Sequence, residues 1–273
     1  MRPAGYIKND GGYLATMNAT GIAGTVPRGW WRYDTGVSPT PADPWNQSVT
    51  TWANQGSVGG NVAPSGLAPK TAEGGVLFGS KSQNLQHASP TSAFITTTEW
   101  TAAAVIVVLA STIDESDTWK NPGTITDYDN AIWGLHIRHD ATVGGSGYDS
   151  FYAQAYQWDG AAAHTSEVLV SGGDHSSQGP YLQLSQFDSA SGNLITTVWD
   201  ISSAAGAVLI GTDTTASVPA ADALTGVLSV GNNSMMSSST HQRNTLEALT
   251  WQRLLDAGEQ ADVLAETLAR WGT

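Results

Sequence analysis

From about residue 75 onward, the hydrophobic pattern is that of short strands separated by turns. Thr101 to Leu109 is a continuous apolar and β-branched run, which predicts a strand buried on both faces. Ala131 to Arg138 alternates instead, which predicts a strand with one buried face. Similar runs predict further strands at Val76–Phe78, Phe151–Trp158, Tyr181–Phe187, Leu194–Trp199, Val208–Gly211, Val227–Gly231 and Thr245–Trp251. Because Gly, Asn and Ser turns separate them, we expect an all-β, two-sheet antiparallel jelly-roll sandwich.

The two ends of the chain carry different patterns. Residues 1–28 are rich in Gly, Thr and Asn without a sustained period, which predicts an extended N-terminal arm that docks the protein, followed by one domain over residues 29–273. Near the C-terminus, Asp256 and Glu259 form a capping-box pattern that predicts the start of a short α-helix. Its predicted apolar stripe, which we expect to pack on the sandwich edge, is Ala257, Ala261, Leu264, Leu268 and Trp271.

Composition limits the possible partners. The chain has 273 residues, 40% of them hydrophobic, and only 13% are charged, against a usual value of about 25%. A surface of Ser, Thr, Asn, Gln and Gly is typical of extracellular or virion β-proteins. The net charge of −13 argues against nucleic acid and against anionic membrane surfaces as partners. With no cysteine, the chain has no disulfide, thiol chemistry or Cys-ligated zinc.

We expect neither membrane insertion nor export by a secretory signal. The first residues lack the apolar core of a signal peptide. The longest apolar run, Ala102 to Ala110, is far shorter than the ~20 residues that cross a bilayer.

Several segments resemble concanavalin A-like, laminin-G-like jelly-roll domains of the bacterial and bacteriophage type. The run Gly75 to Ser80 followed by Asn84-Leu85 is similar to an early strand of that family, and Leu228 to Gly231 to a late one. The strongest similarity is the closing strand Leu246–Trp251 with the helix that ends in Trp271-Gly272. The resemblance covers roughly residues 30–273 and implies a jelly roll. Residues 114–130 and 141–149 go beyond a minimal domain of this family, and we expect them to form extended loops.

Catalytic patterns are not readable in the sequence. Glucanases of this fold carry a glutamate–x–aspartate–x–glutamate strand that supports retaining chemistry, and none of the seven glutamates opens that pattern. The acidic cluster Asp114-Glu115-Ser116-Asp117 has the wrong spacing. Nucleophile-elbow, phosphate-loop and His-Glu-x-x-His motifs are also missing from the sequence. We expect the histidines to lie at the surface or at strand edges, namely His87, His136, His139, His164, His175 and His241. These patterns predict that the protein is not an enzyme.

Aromatic side chains are the best candidates for ligand binding, because sugars stack their apolar faces on Trp and Tyr while Asp and Asn bind hydroxyl groups. The candidate glycan-contacting residues are Trp119, Tyr128, Tyr148, Tyr152, Tyr156 and Trp158. The alternative roles of the same strand face are core packing and a subunit contact. The tryptophans expected in the core are Trp30, Trp31, Trp100, Trp133, Trp199, Trp251 and Trp271. No cofactor is required, but Asp127, Asp129 and Asn130 offer oxygen ligands for Ca²⁺.

These observations predict a non-catalytic virion structural and binding protein, either a bacteriophage minor tail protein that contacts host glycans or a head decoration protein. Its expected partners are other virion proteins through the arm, a host surface glycan, and further copies of itself. The alternatives are a secreted, extracellular or virion-borne glycan-cleaving enzyme with this fold, and a purely architectural component without glycan affinity.

Overall fold

A computed structural model describes residues 26–39, 46–72, 75–78, 83–108, 119–120, 123–127, 133–140, 150–172, 178–203, 205–231 and 243–272. The strands in chain order are β1 (Gly29–Arg32), β2 (Val37–Ser38), β3 (Thr51–Ala53), β4 (Asn61–Pro64), β5 (Lys70–Ala72), β6 (Gly75–Phe78), β7 (Asn84–Pro90), β8 (Glu99–Val108), β9 (Trp119–Lys120), β10 (Gly123–Asp127), β11 (Trp133–Asp140), β12 (Ser150–Trp158), β13 (Ala163–Gly172), β14 (Gln178–Asp188), β15 (Asn193–Asp200), β16 (Val208–Thr215), β17 (Val227–Gly231) and β18 (Arg243–Trp251). A one-turn 3₁₀ helix covers Thr91–Ala93, and the α-helix α1 spans Ala257–Trp271.

The strands form two antiparallel sheets, which confirms the predicted all-β sandwich. One sheet has eight strands in the order β16-β15-β14-β8-β18-β6-β5, with β1 also paired to β18. The other has ten strands in the order β13-β12-β11-β10-β17-β7-β4-β3-β2, with β9 paired to β11. We call the face of each sheet that points to the other sheet its inner face, and the opposite one its outer face.

The core fills the space between the inner faces. Trp100 of β8 and Trp133 of β11 meet edge to face across the two sheets, with ring centroids 5.4 Å apart. Trp100 also donates its indole N–H to the Gln157 side chain of β12, over 3.2 Å. The central strand β8 is buried from residue 101 to residue 107, so its continuous apolar run is explained by burial on both faces.

Two predicted features need correction in the strands and loops. Part of the expected loop over residues 114–130 is strand, because β10 pairs with β11 on one side and β17 on the other. Trp199, expected in the core, is only half-buried on β15.

The helix begins as predicted, but a different stripe of it is buried. Asp256 accepts a hydrogen bond from the Glu259 backbone, and the Glu259 side chain returns one to the Asp256 N–H, so the capping box is present. The buried residues are Val263, Thr267 and Trp271. The Thr267 hydroxyl is buried at low cost because it donates to the Val263 carbonyl. The buried stripe is therefore rotated, and two predicted members of it, Ala257 and Ala261, are exposed.

Two histidines expected at the surface are buried. His87 is accommodated because its Nε2 lies 2.9 Å from the Gly59 carbonyl and its Nδ1 accepts the Ser89 N–H. His136 is buried on β11 beside Tyr156, with ring centroids 5.9 Å apart.

Candidate functional site

Three aromatic side chains follow one another along the outer face of β12. Tyr152, Tyr156 and Trp158 are half-buried. The other side chains from Phe151 to Gln157 are buried. Because side chains alternate along a strand at about 3.4 Å per residue, Tyr156 and Trp158 lie about 7 Å apart on the same face. We call Tyr152, Tyr156 and Trp158 the aromatic track.

Small residues on the neighbouring strands flank this track. Tyr156 is opposite Gly134 of β11, and Trp158 is opposite Ala163 of β13. Gly134 has no side chain, but a Cβ placed on it would lie 2.6 Å from His136 Nε2, so the His136 imidazole covers this side of Tyr156. The exposed Ala163 has only a methyl group, so it leaves the adjacent Trp158 ring accessible to a flat ligand.

Polar groups lie beside the aromatic rings. Gln154, between Tyr152 and Tyr156 on the outer face, donates a hydrogen bond of 2.5 Å to Glu167 of β13. Burial raises the pKa of Tyr156 above its usual value of 10.0. Its phenol therefore stays protonated at neutral pH, able to donate a hydrogen bond to a ligand oxygen.

The end of the track carries a carboxylate. Asp159, which follows Trp158, accepts the backbone N–H groups of Ala161 and Ala162, and its Oδ2 lies 2.9 Å from His164 Nε2. Three hydrogen bonds lower the pKa of Asp159 from 3.8 to about 2. The bond from Ala162 has the largest effect, followed by those from His164 and Ala161. A fixed negative charge thus sits next to the last ring of the track.

A row of polar side chains extends from Tyr156 across the sheet. Cross-strand pairs run from Tyr156 through Gly134 of β11, Thr126 of β10 and Ser229 of β17 to Gln86 of β7, so all of them share the outer face. The Thr126 Oγ1, Ser229 Oγ and Gln86 Nε2 atoms are buried without a hydrogen-bond partner. Thr126 and Ser229 are fully buried, so this row is covered and is not part of the accessible surface of the track.

The structure brings together three of the six predicted aromatic residues, namely those of the track. Trp119 lies in β9, opposite Asp140 at the end of β11 and thus in the same sheet. Tyr128 and Tyr148 lie outside the described residues. Glycan contact by these six residues stays a prediction.

Calcium binding also stays a prediction. Asp127 is the last residue of β10 and is fully buried, while Asp129 and Asn130 lie outside the described residues. A Cβ placed on Gly226 would lie 2.0 Å from Asp127 Oδ1, so this carboxyl group packs directly on that glycine. Within the described ranges, no cluster of three or more His, Asp or Glu side chains that could hold a metal ion occurs.

Sequence reasoning missed the polar neighbours of the track. Gln154 could have been found, because the alternation that selects Tyr152 and Tyr156 also places Gln154 on their face. Glu167, Thr126 and Ser229 could not, because their positions depend on strand order and register.

Comparisons with known proteins identify the fold. No protein-family model matches the chain, and no curated protein matches its sequence. Among solved structures, a sialidase of Trypanosoma rangeli in complex with sialic acid matches with 12% identity and a TM-score of 0.51, over 90% of this chain and 33% of the sialidase. The receptor-binding domain of botulinum neurotoxin C/D mosaic serotype matches with 6% identity and a TM-score of 0.50, over 92% of this chain and 52% of that one. The ligand-binding domain of botulinum neurotoxin serotype D, in complex with N-acetylneuraminic acid, matches with 7% identity and a TM-score of 0.50, over 93% and 52%.

The chain therefore spans about a third to a half of the proteins that it resembles. At these identities the likeness shows a shared antiparallel β-sandwich. A helix long and apolar enough to cross a membrane is not found in the part of the chain that the structure describes.

Proposed function

We propose that this protein is a non-catalytic glycan-binding protein that holds a sugar on the aromatic track. The observation that carries the proposal is the placement of Tyr156 and Trp158 on one outer face, two residues apart, with only the small residue Ala163 opposite Trp158 on β13. Aromatic rings with uncovered faces bind the apolar C–H faces of a sugar ring. The Asp159 carboxylate next to Trp158 is placed to accept hydroxyl hydrogen bonds, and the Tyr156 phenol to donate one.

Solved structures of similar fold support the proposal as precedents. The sialidase is in complex with sialic acid, and the neurotoxin serotype D domain with N-acetylneuraminic acid. Proteins that contain a region of this architecture thus bind sugars, both in an enzyme and in a toxin's ligand-binding domain.

We place the protein, as part of the same proposal, on a bacteriophage particle as a minor tail protein or a head decoration protein. The supports are the polar surface with few charges, the absence of cysteine, and the Gly-rich segment over residues 1–28, which suits docking on other virion proteins. Imaging of purified particles labelled on this chain tests the placement. Labels at fixed positions and fixed copy number support it, and unlabelled particles contradict it.

Glycan binding is tested by a glycan array, followed by calorimetry with a monovalent ligand selected from it. We expect Trp158→Ala to weaken binding at least tenfold, because the stacking of a sugar on an aromatic ring depends on the whole ring face. The matched control is Trp199→Ala, which removes a half-buried tryptophan from the other sheet and should leave the affinity unchanged. Equal affinities of wild type and Trp158→Ala would place the binding site elsewhere.

The same samples distinguish the alternative functions. Release of reducing sugar from a bound polysaccharide would identify a glycan-cleaving enzyme. The absence of both binding and turnover would support an architectural role alone.

A further inference from the structure

The part of the chain that holds the tryptophan end of the aromatic track is strongly acidic. Residues 139–242 carry nine acidic side chains and no Lys or Arg. The preceding residue, Arg138, is opposite Tyr152 at the other end of the track. Six residues of β12 separate the Tyr152 and Trp158 positions, or about 20 Å. This is more than the Debye length of about 8 Å at physiological salt, so a charge at position 138 is largely screened from the Trp158 ring.

A second carboxylate, besides that of Asp159, lies beside the turn that follows Trp158. The Asp222 N–H donates to the Trp158 carbonyl over 2.9 Å, so the two backbones are in direct contact. A Cβ placed on Gly160 would lie 3.5 Å from Asp222 Oδ2. The Asp222 carboxylate therefore lies against the residue that follows Asp159, and both carboxylates border the same turn.

Hydrogen bonds hold the Asp222 carboxylate in place. The N–H of the preceding residue, Ala221, donates to the Thr97 carbonyl over 3.0 Å. Asp222 Oδ1 accepts the N–H of Ala223 over 2.7 Å. The Asp222 residue is nevertheless exposed. Its carboxylate is thus fixed in position and open to a ligand.

The negative charge at this turn is compensated in part only. The pKa of Asp159, lowered to about 2 by its hydrogen bonds, keeps this group ionised at neutral pH. His164 Nε2 lies 2.9 Å from Asp159 Oδ2, and a protonated His164 balances one of the two negative charges. A ligand stacked on Trp158 therefore meets a surface that attracts positive charge and repels negative charge.

We propose that the tryptophan end of the track selects sugars with a free amino group over uncharged sugars, and uncharged sugars over acidic ones. This inference rests on the proposed function, because it assigns a ligand class to the same site. The ammonium group of an amino sugar is attracted by both carboxylates and by the face of the Trp158 indole. A sugar carboxylate is repelled by the same groups. Asp159 and Asp222 are thus the specificity-determining residues of the site.

The first test measures the affinity of the wild-type protein for three tetrasaccharides of one linkage that differ in charge. The probes are cellotetraose, the corresponding glucosamine tetramer, and cellotetraose whose primary alcohols are oxidised to carboxylates. By calorimetry at neutral pH, we expect the glucosamine tetramer to bind about fivefold more tightly than cellotetraose, and the oxidised form to bind most weakly. The differences should shrink at about 0.5 M salt, because salt screens exposed charges.

The outcomes separate this inference from the proposed function. Equal affinities, a reversed order, or no binding of any of the three probes would overturn the charge selection. Binding of another sugar that is lost in Trp158→Ala would leave the proposed function standing in each of these cases. A Trp158→Ala variant that binds like wild type would overturn the proposed function instead.

The second test changes the charge of the protein. Asp222→Asn should lower the preference for the glucosamine tetramer at least twofold and leave the affinity for cellotetraose unchanged. Asp222→Lys should raise the affinity for the oxidised tetrasaccharide above that of wild type. Both variants alter an exposed side chain, so we expect them to fold.

The matched control is Asp200→Asn. Asp200 Oδ1 accepts the N–H of Ser202 over 2.8 Å, much as Asp222 Oδ1 accepts that of Ala223. Because Asp200 ends β15 in the other sheet, its neutralisation should leave the order of the three probes unchanged. An equal effect of Asp200→Asn and Asp222→Asn, or no effect of either Asp222 variant, would show that Asp222 does not select the ligand.

Discussion

The indole Nε1 of Trp271, in the last turn of α1, donates a 2.7 Å hydrogen bond to Glu247 Oε2 in the middle of β18. The other oxygen, Oε1, accepts the indole N–H of Trp30 from β1, also over 2.7 Å. Arg270 Nε lies 3.3 Å from Glu247 Oε2, and the Glu247 side chain is fully buried. One carboxyl group thus joins the first described strand, the last strand and the helix, which explains why a short helix stays on the eight-stranded sheet.

Glu247→Gln should therefore destabilise the protein by about 3 kcal/mol. The amide oxygen of glutamine can accept a hydrogen bond from one indole, but its NH₂ group would then face the other indole N–H. Both of these groups are donors, so they cannot form a hydrogen bond with each other. It also removes the nearer of the two carboxylates that pair with the nearly buried Arg270 guanidinium. Urea unfolding followed by tryptophan fluorescence measures the change.

The control for this variant is Glu266→Gln on the same helix. Glu266 Oε2 lies 3.7 Å from Arg270 Nη2, and its side chain is partly exposed. Its removal should cost less than about 1 kcal/mol. Equal losses for the two variants would mean that the buried hydrogen bonds to Glu247 are not what holds the helix.

The sequence predicted those elements that depend on local pattern. The alternation along residues 151–158 placed Tyr152, Tyr156 and Trp158 on one face, and the Asp256–Glu259 pair located the start of the helix. Features that depend on tertiary contacts were not predictable. Hydrophobicity selects Ala261 rather than Thr267 for the buried stripe, because the internal hydrogen bond that lets Thr267 be buried appears only in the folded helix.

The contact between Trp100 and Trp133 gives a prediction for the core. Trp133→Ala should lower the free energy of unfolding by about 4 kcal/mol, because it leaves a cavity between the two sheets and removes an edge-to-face ring contact. Trp199→Ala, at a half-buried position, should cost about 1–2 kcal/mol. Denaturant unfolding of both variants provides the comparison. A smaller loss for Trp133→Ala than for Trp199→Ala would contradict this packing of the two sheets.

Gly134 gives a prediction for the candidate site. A Cβ at this position would lie 2.6 Å from His136 Nε2 and 2.9 Å from Thr126 Cγ2, so Gly134→Ala must displace the imidazole that packs against Tyr156. We expect glycan affinity to fall severalfold, measured by calorimetry with the array-selected ligand.

The double variant Gly134→Ala with His136→Ala tests this cause. It removes the ring that the new methyl group would strike, so part of the lost affinity should return. If the double variant loses more binding free energy than the two single variants lose together, His136 acts on the ligand by another route.

Asp159 gives a prediction for pH dependence. Its hydrogen bonds lower its pKa to about 2 in the folded protein, against an ordinary value of 3.8. A carboxyl group with a lowered folded pKa stabilises the protein above its unfolded pKa, and this contribution is lost as pH falls through the folded value. Asp159→Asn should therefore melt at a lower temperature than wild type at pH 5 to 7, and the difference should narrow between about pH 4 and pH 2. Thermal unfolding by circular dichroism measures the difference, with Asp262→Asn, an exposed position on α1, as the control. A gap that stays constant or widens in acid would mean that the Asp159 charge does not stabilise the turn after Trp158.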